Sequence, residues 1–279
     1  MEIQARGKIN WTLNVVGRRE DGYHLLDMLM QPIELHDTLI MEKAEGLSLS
    51  IEGGEGLSAG EDNLVLRAGR ALQARTQTAQ GARLRLIKRI PMGAGLGGGS
   101  ADAAAALKGL NILWGLGLDL NALCRIGETL GADIPFCLHD SPRRAQGIGE
   151  VLTPIESGVF PLVLVQPCAA LSTKEVFGAY HSASFSPPDT QAAISALQRR
   201  DLAALSQCAA NVLESASIPL RPQIAQAKSA LLRAGAAFAQ MTGSGSAVFG
   251  AFREEEEARK AWETLRRAYP VCLLTKTAL

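Results

Sequence analysis

The chain has 279 residues, 47% of them apolar, and its 28 basic side chains equal its 28 acidic ones. That length holds one large domain or two ordinary ones, and the apolar share excludes a disordered chain. Zero net charge gives no wholesale attraction to nucleic acid or to an acidic membrane, and five scattered cysteines without a CxxC pair exclude a disulfide frame or a zinc site.

The four histidines lack HExxH spacing. No basic-then-apolar leader opens the chain, and no apolar run is long enough to span a bilayer. The expectation is a cytoplasmic protein without a nucleic-acid or membrane partner.

From Glu2 to Val15 polar and small or apolar residues alternate, which predicts one or two strands with one face in a core. Gly7 is a candidate bulge. Lys8 and Asn10 share the polar face, and Lys8 taken alone reads as a solvated strand lysine before a catalytic one. A polar loop with an Asp21-Gly22 turn follows, then the apolar run Leu25 to Met30. Tyr23 reads equally as a turn aromatic or as a flat ring beside His24 that could hold a heterocycle. Thr38 to Glu42 and Leu47 to Ile51 look like strands paired around Glu45-Gly46. Asp62-Asn63 precedes an amphipathic helix from Leu64 to about Arg75.

A strand from Arg83 to Lys88 then delivers the chain to Pro91-Met92-Gly93-Ala94-Gly95-Leu96-Gly97-Gly98-Gly99-Ser100-Ala101, with five glycines in seven residues. Glycine admits positive φ and removes side chains that would hold a ligand off the backbone. Ser100 or a neighbour can cap a helix running through the alanines to about Trp114. Several N–H groups at one helix start make an anion site, most often for phosphate. A flexible turn capping an ordinary helix is the plainer reading, and this density of glycine weighs against it.

A helix is expected from Leu120 to Leu130, capped by Asp119 or Asn121. Asp133 reads first as another N-cap, with Pro135 just inside its helix; the other reading is a carboxylate held at a cleft as base or metal ligand. The pattern restarts after Pro154, which divides the chain into 1–155 and 156–279. Beyond it come a strand at Leu162 to Gln166, a capped turn at Ser172 to Phe177 and a loop at Ser184 to Asp189. Helices are expected at Thr190 to Leu197, Leu202 to Leu213 and Pro222 to Ala234. Strands then flank Thr242-Gly243-Ser244-Gly245-Ser246, and a charged surface helix and a last strand close the chain. The order is that of a ferredoxin-like split βαβ with added helices.

Gly93, Gly95 and Gly98 satisfy GxGxxG, but a dinucleotide fold needs a second strand ending in an acid, and here helix follows helix. No GxxxxGK[ST] occurs, nor HRD or DFG. The stretch PMGAGLGGGSADAAAAL resembles the second motif of the GHMP small-molecule kinases, and Thr242 to Ser246 resembles their third. ARGKIN, GRREDGYHLLDMLMQ, EDNLVLRA, LGADIPF and GIGEVLTP resemble, in order, the branch of that family acting on a cytidyl-diphosphate-linked methylerythritol. The likeness covers nearly the whole chain, and DGYH separates this branch from its relatives.

The resemblance implies an α+β, two-lobed GHMP-kinase fold, with a β-rich nucleotide lobe related to a ribosomal-protein domain and a ferredoxin-like second lobe. It implies transfer of the γ-phosphoryl of ATP, with Mg²⁺, to the tertiary 2-hydroxyl of that substrate in the non-mevalonate isoprenoid route. Asp133 then matches the base and Lys8 its partner, with Asn10 helping to position the acceptor. Pro91 to Ala101 would bind the phosphates, Ser100 is a candidate Mg²⁺ ligand, and Asn63, Leu64 and Lys88 would lie near the adenine. Tyr23 and Phe177 match two aromatics that sandwich cytosine, His24 matches the residue bonding its edge, and Thr173 would lie near the sugar. A monomer or homodimer is expected. The alternatives are a homoserine- or mevalonate-type kinase, or a nucleotide-binding protein without catalysis.

Overall fold

A computed structural model describes residues 1–180 and 186–279, so the start of the loop expected at Ser184 to Asp189 lies outside the described residues. β1 (Glu2–Arg18) is one 17-residue strand that continues through Gly7. Its alternation predicts one core face, yet every residue from Gly7 to Leu13 is buried. Lys8, Asn10 and Thr12 lie in the interior along with Ile9, Trp11 and Leu13. Period two reports the pleat, and a strand covered on both sides keeps the pleat while losing its solvent face. The expectation of a solvated Lys8 is thereby corrected.

β2 (His24–Ala44) and β3 (Leu47–Glu52) do not form the expected hairpin. After α1 (Leu64–Thr76) the chain returns as β4 (Gly81–Ile87), antiparallel to β2 and parallel to β3, and lies between them. The turn at 45–46 therefore crosses over the start of β4 instead of closing a pair. Gly81 makes that crossing fit: a Cβ there would lie 2.6 Å from the Ala44 oxygen. α1 begins where expected, with Asn63 Oδ1 accepting the Val65 N–H at 2.9 Å. α2 (Gly98–Leu113), α3 (Leu120–Glu128) and α4 (Ile134–His139) follow, α3 capped by Asp119 as expected.

By packing, β3, β4 and α1 to α4, with the first residues of β1 and the last part of β2, belong to a first compact unit of residues Met1–Gly7, Leu35–Ile90 and Gly97–Asp140. Leu39, Met41, Leu84 and Leu86 of its strands meet Val65 and Leu72 of α1 in one apolar core. α2 joins that core through Ala103 to Leu107, all buried; the small side chains let it lie close to its neighbours.

The second unit comprises Lys8–Glu34, Pro91–Leu96 and Ser141–Leu279. In it β5 (Arg143–Gly147) pairs with Leu26 to Met30 of β2 and with β6 (Val151–Pro154). β7 (Pro161–Gln166), α5 (Thr173–Ala179), α6 (Thr190–Gln198), α7 (Leu202–Cys208), α8 (Glu214–Leu220) and α9 (Gln223–Arg233) come next. β8 (Phe238–Met241), β9 (Val248–Ala251), α10 (Glu255–Leu265) and β10 (Val271–Lys276) complete the chain. The strand order β10-β7-β9-β8, antiparallel throughout, is the expected ferredoxin-like sheet.

The single helix expected from Leu202 to Leu213 is in fact interrupted. α7 stops at Cys208 because the chain pairs with β1, Leu13 donating to the Ala210 oxygen and Val212 donating to the Leu13 oxygen, both at 2.9 Å. Trp11 anchors this unit, its ring 5.2 Å from Phe160 and 5.3 Å from Phe249.

Candidate active site

In the first unit the chain leaves β4 through Lys88-Arg89-Ile90 and re-enters at Gly97, the N-cap of α2 with φ +69°. No side chain caps this helix; Ser100 is its third residue, not its cap. The first intrahelical bond along it is Ala101 N–H to the Gly97 oxygen at 2.9 Å. The amides of Gly98, Gly99 and Ser100 therefore precede the hydrogen-bonded ladder, at the positive end of the helix dipole. Leu64 lies beside them, its Cδ1 3.6 Å from where a Cβ on Gly99 would stand.

Lys88 is also in this unit, with its ammonium already engaged. It donates to Asp37 Oδ2 and, at 2.7 Å, to Asp102 Oδ2. The three side chains are 5%, 0% and 3% exposed. Asp37 Oδ1 accepts the N–H groups of Arg89 and, at 2.8 Å, Ile90. The other Asp102 oxygen is buried without a partner. Burial would lower the Lys88 pKa, but the two carboxylates outweigh it and hold the ammonium above its ordinary range. Burial raises Asp102 to about 7 against the pull of Lys88, with Asp37 adding repulsion.

A pH effect on stability follows. The folded chain keeps the Asp102 proton until about pH 7, whereas the unfolded chain loses it near 3.8. Between those values the folded state binds more protons, so this group's contribution is full below the unfolded value and falls as pH rises through 7. Asp102→Asn is expected to remove that slope. In urea unfolding the parent should lose more stability than the variant between about pH 5 and pH 8; parallel losses would contradict it.

Asp133, at the N-cap position of α4, has helical φ and ψ and makes no capping hydrogen bond through its side chain. The capping role expected first is thus corrected, and the helix starts through Ile134 and Pro135 without that cap.

In the second unit two small-residue loops interlock. A Cβ on Gly95, where φ is +79°, would overlap the Thr242 carbonyl oxygen, so only glycine permits this approach. Ala247 N–H donates to the Ala94 oxygen at 3.1 Å, and Lys8 N–H donates to the Leu96 oxygen at 2.9 Å. Asn10 Oδ1 ties the second loop to β1. It accepts Lys8 Nζ at 2.7 Å, Gly243 N–H at 3.0 Å and Thr242 Oγ1–H at 3.3 Å. Asn211, which no local sequence signal singles out, holds the far side of the second loop: its Nδ2 donates to the Met241 and Gly243 oxygens at 2.9 and 2.8 Å. Thr173, one residue into α5, shares a 3.0 Å hydrogen bond with Ser244.

Of the expected base-binding residues, Tyr23 is 63% exposed. Phe177 stacks on His24, centroids 5.0 Å apart at 27°, and Tyr180, again without a sequence signal, meets the His24 ring edge-on at 6.4 Å. Burial and then the nearby Arg18 charge lower the His24 pKa, which favours neutral imidazole, one nitrogen donating and one accepting.

Residues 63–141 match the family of GHMP kinase N-terminal domains, and residues 193–271 the family of GHMP kinase C-terminal domains. A 4-diphosphocytidyl-2-C-methyl-D-erythritol kinase of Pelotomaculum thermopropionicum is 43% identical over 98% of this chain and 96% of its own length. The enzyme of that name from Acetivibrio thermocellus is 40% identical over 99% of both. A crystal structure of 4-(cytidine 5'-diphospho)-2C-methyl-D-erythritol kinase superposes with a TM-score of 0.87 at 35% identity, covering 100% of both chains. A homoserine kinase from Cytophaga hutchinsonii, at TM-score 0.75 and 18% identity over 100% of this chain and 95% of its own, shares the fold.

Proposed function

This chain belongs to the 4-diphosphocytidyl-2-C-methyl-D-erythritol kinases within the GHMP kinases, and from that premise we propose how its own residues carry the reaction. ATP gives its γ-phosphoryl group to the 2-hydroxyl of the cytidyl-diphosphate methylerythritol, a step of the non-mevalonate isoprenoid route. The observation carrying this activity is end-to-end similarity at 43% identity, far above the 18% at which only the fold is shared with a homoserine kinase.

Phosphoryl transfer asks little covalent help of a protein; it asks for positioning and for donors aimed at the developing charge. The uncapped amides of Gly98, Gly99 and Ser100 meet the triphosphate, and Pro91 to Leu96 complete the glycine stretch that follows it. Asp133, which spends no side-chain bond on capping α4, takes the proton of the acceptor hydroxyl as its oxygen attacks phosphorus. Lys8 brings positive charge to the acceptor oxygen, and Asn10 fixes where that ammonium points. Asn63 and Leu64 flank the adenine at the start of α1. The Lys88 ammonium is occupied, which leaves its alkyl stem for the base.

Mg²⁺ fits as a partner carried in with the triphosphate. Among the described residues no three acidic, cysteine or histidine side chains gather into a cage. Ser100 would supply one hydroxyl, and a cation that keeps waters and phosphate oxygens needs only one or two protein ligands. Bound there, it would neutralise charge on the β- and γ-oxygens.

Cytosine enters between Tyr23 and Phe177, displacing the ring of His24 from Phe177, and the neutral imidazole bonds its edge. Thr173, held by Ser244, faces the sugar alcohol. The lobe boundary near residue 155 belongs to the same reading, the two family matches falling on either side of it. So do a cytoplasmic location, in keeping with five cysteines that form no disulfide, and a monomer or homodimer. Among the described residues no helix is long and apolar enough to cross a membrane.

A coupled ADP-release assay tests the activity. ADP should appear with the cytidyl-diphosphate acceptor and not with homoserine or mevalonate; the reverse pattern, or nucleotide binding with no ADP from any acceptor, overturns it. In the same assay Tyr23→Ala takes away one of the two stacked rings. KM for the cytidyl substrate should rise about tenfold while KM for ATP stays within about twofold. Equal rises in both would rule out stacking by Tyr23.

A further inference from the structure

Three ionisable side chains are buried at the two ends of the glycine stretch, and phosphoryl transfer uses the charge of none of them. Asp37 binds the backbone of Arg89 and Ile90, the residues immediately before that stretch. Asp102 lies in the second turn of α2, the helix that ends it. Lys88 bridges the two carboxylates, and its Nζ lies 3.4 Å from where a Cβ on Gly98 would stand. Arg89 adds a second tie at the same end, donating to Thr38 Oγ1 at 2.7 Å.

Stability alone does not explain such a cluster. Burying three ionisable groups costs more solvation than their attraction commonly returns, and apolar residues of the same volume hold a core at least as well. One of the Asp102 oxygens is buried without any partner, a further cost. What charged groups add over apolar ones is direction: each bond fixes a particular backbone atom or side chain at a particular distance.

We propose that Asp37, Lys88 and Asp102 form a clasp that fixes the amino end of α2 against the exit of β4, so that the Gly98, Gly99 and Ser100 amides are aimed at the triphosphate before it arrives. Asp102 is then a positioning residue for the phosphoryl donor. The clasp rests on the reading that places the triphosphate at the start of α2. Because it lies wholly in the first unit and touches no residue assigned to the acceptor, its loss should weaken the donor and spare the acceptor.

The test measures binding of the non-hydrolysable analogue AMP-PNP with Mg²⁺ by calorimetry, and KM for each substrate, in the full-length chain. Asp102→Ala should raise the AMP-PNP Kd about tenfold and leave the acceptor KM within about twofold; Asp102→Asn, which still accepts from Lys88, should raise Kd only about two- to threefold. An unchanged Kd in Asp102→Ala, or equal losses for donor and acceptor, overturns the clasp. Should Asp102→Ala fail to fold, Asp102→Asn decides alone, and an unchanged Kd again overturns it. Gly99→Asp separates this failure from failure of the underlying reading. A carboxylate suits a helix start but repels a triphosphate there, so AMP-PNP binding should weaken more than tenfold. If Gly99→Asp binds as the parent does, the triphosphate lies elsewhere and the clasp falls with that reading. If Gly99→Asp loses binding and Asp102→Ala does not, only the clasp falls.

Discussion

Asp133→Asn should slow turnover about 10³-fold while AMP-PNP binds as it does to the parent chain, general-base removal being worth 10²- to 10⁴-fold. Asparagine keeps the shape of the side chain and loses the ability to take the acceptor proton. The substitution is also gentle on the fold. The Asp133 side chain does not cap α4, which begins with Ile134 and Pro135, and Ile134, Pro135, Phe136 and Leu138 are buried. Circular dichroism should therefore show the helix content of the parent. Turnover within threefold of the parent would remove Asp133 as the base, and lost nucleotide binding would show that it serves the donor.

Asn10→Ala comes second in size and acts on both stability and rate. One oxygen accepts from Lys8, Gly243 and Thr242, and the residue is 1% exposed. Alanine withdraws that acceptor from three buried donors, one of them charged, which should cost about 3 kcal/mol in urea unfolding. It also loosens the hold on the Lys8 ammonium, and a misplaced charge at a reacting oxygen costs about 10²-fold in kcat. Asn10→Asp keeps the acceptor and faces it toward a cation, so it should recover most of the stability. A loss below about 0.5 kcal/mol for Asn10→Ala would mean that the second loop's place against β1 does not depend on this side chain.

These two residues also mark where sequence reading succeeds and where it stops. The glycine stretch, the caps at Asn63 and Asp119 and the order of the second sheet are local or periodic signals, legible from spacing alone. The burial of Lys8 is not, since a pleated strand shows period two whether or not water touches its polar face. The separation of β2 from β3 is hidden because a two-residue turn usually closes a hairpin, and what prevents it here is a strand inserted some 35 residues later. Asp37 and Asp102 look like a strand end and a helix residue. Their partner, Lys88, is distant in sequence from the first and a loop away from the second. Asn211 reads as part of a continuous helix because nothing near it announces the pairing with Leu13.

The division of the chain between two packing units bears on how a newborn polypeptide acquires its shape. Trp11 is synthesised well before the rings of Phe160, Phe238 and Phe249 that enclose it. The first unit, by contrast, holds all its parts once Asp140 has emerged. Translation thus leaves an apolar strand exposed until those rings emerge, and the segment carrying Lys8 reaches its final surroundings only after Thr242 and Gly243 have been made.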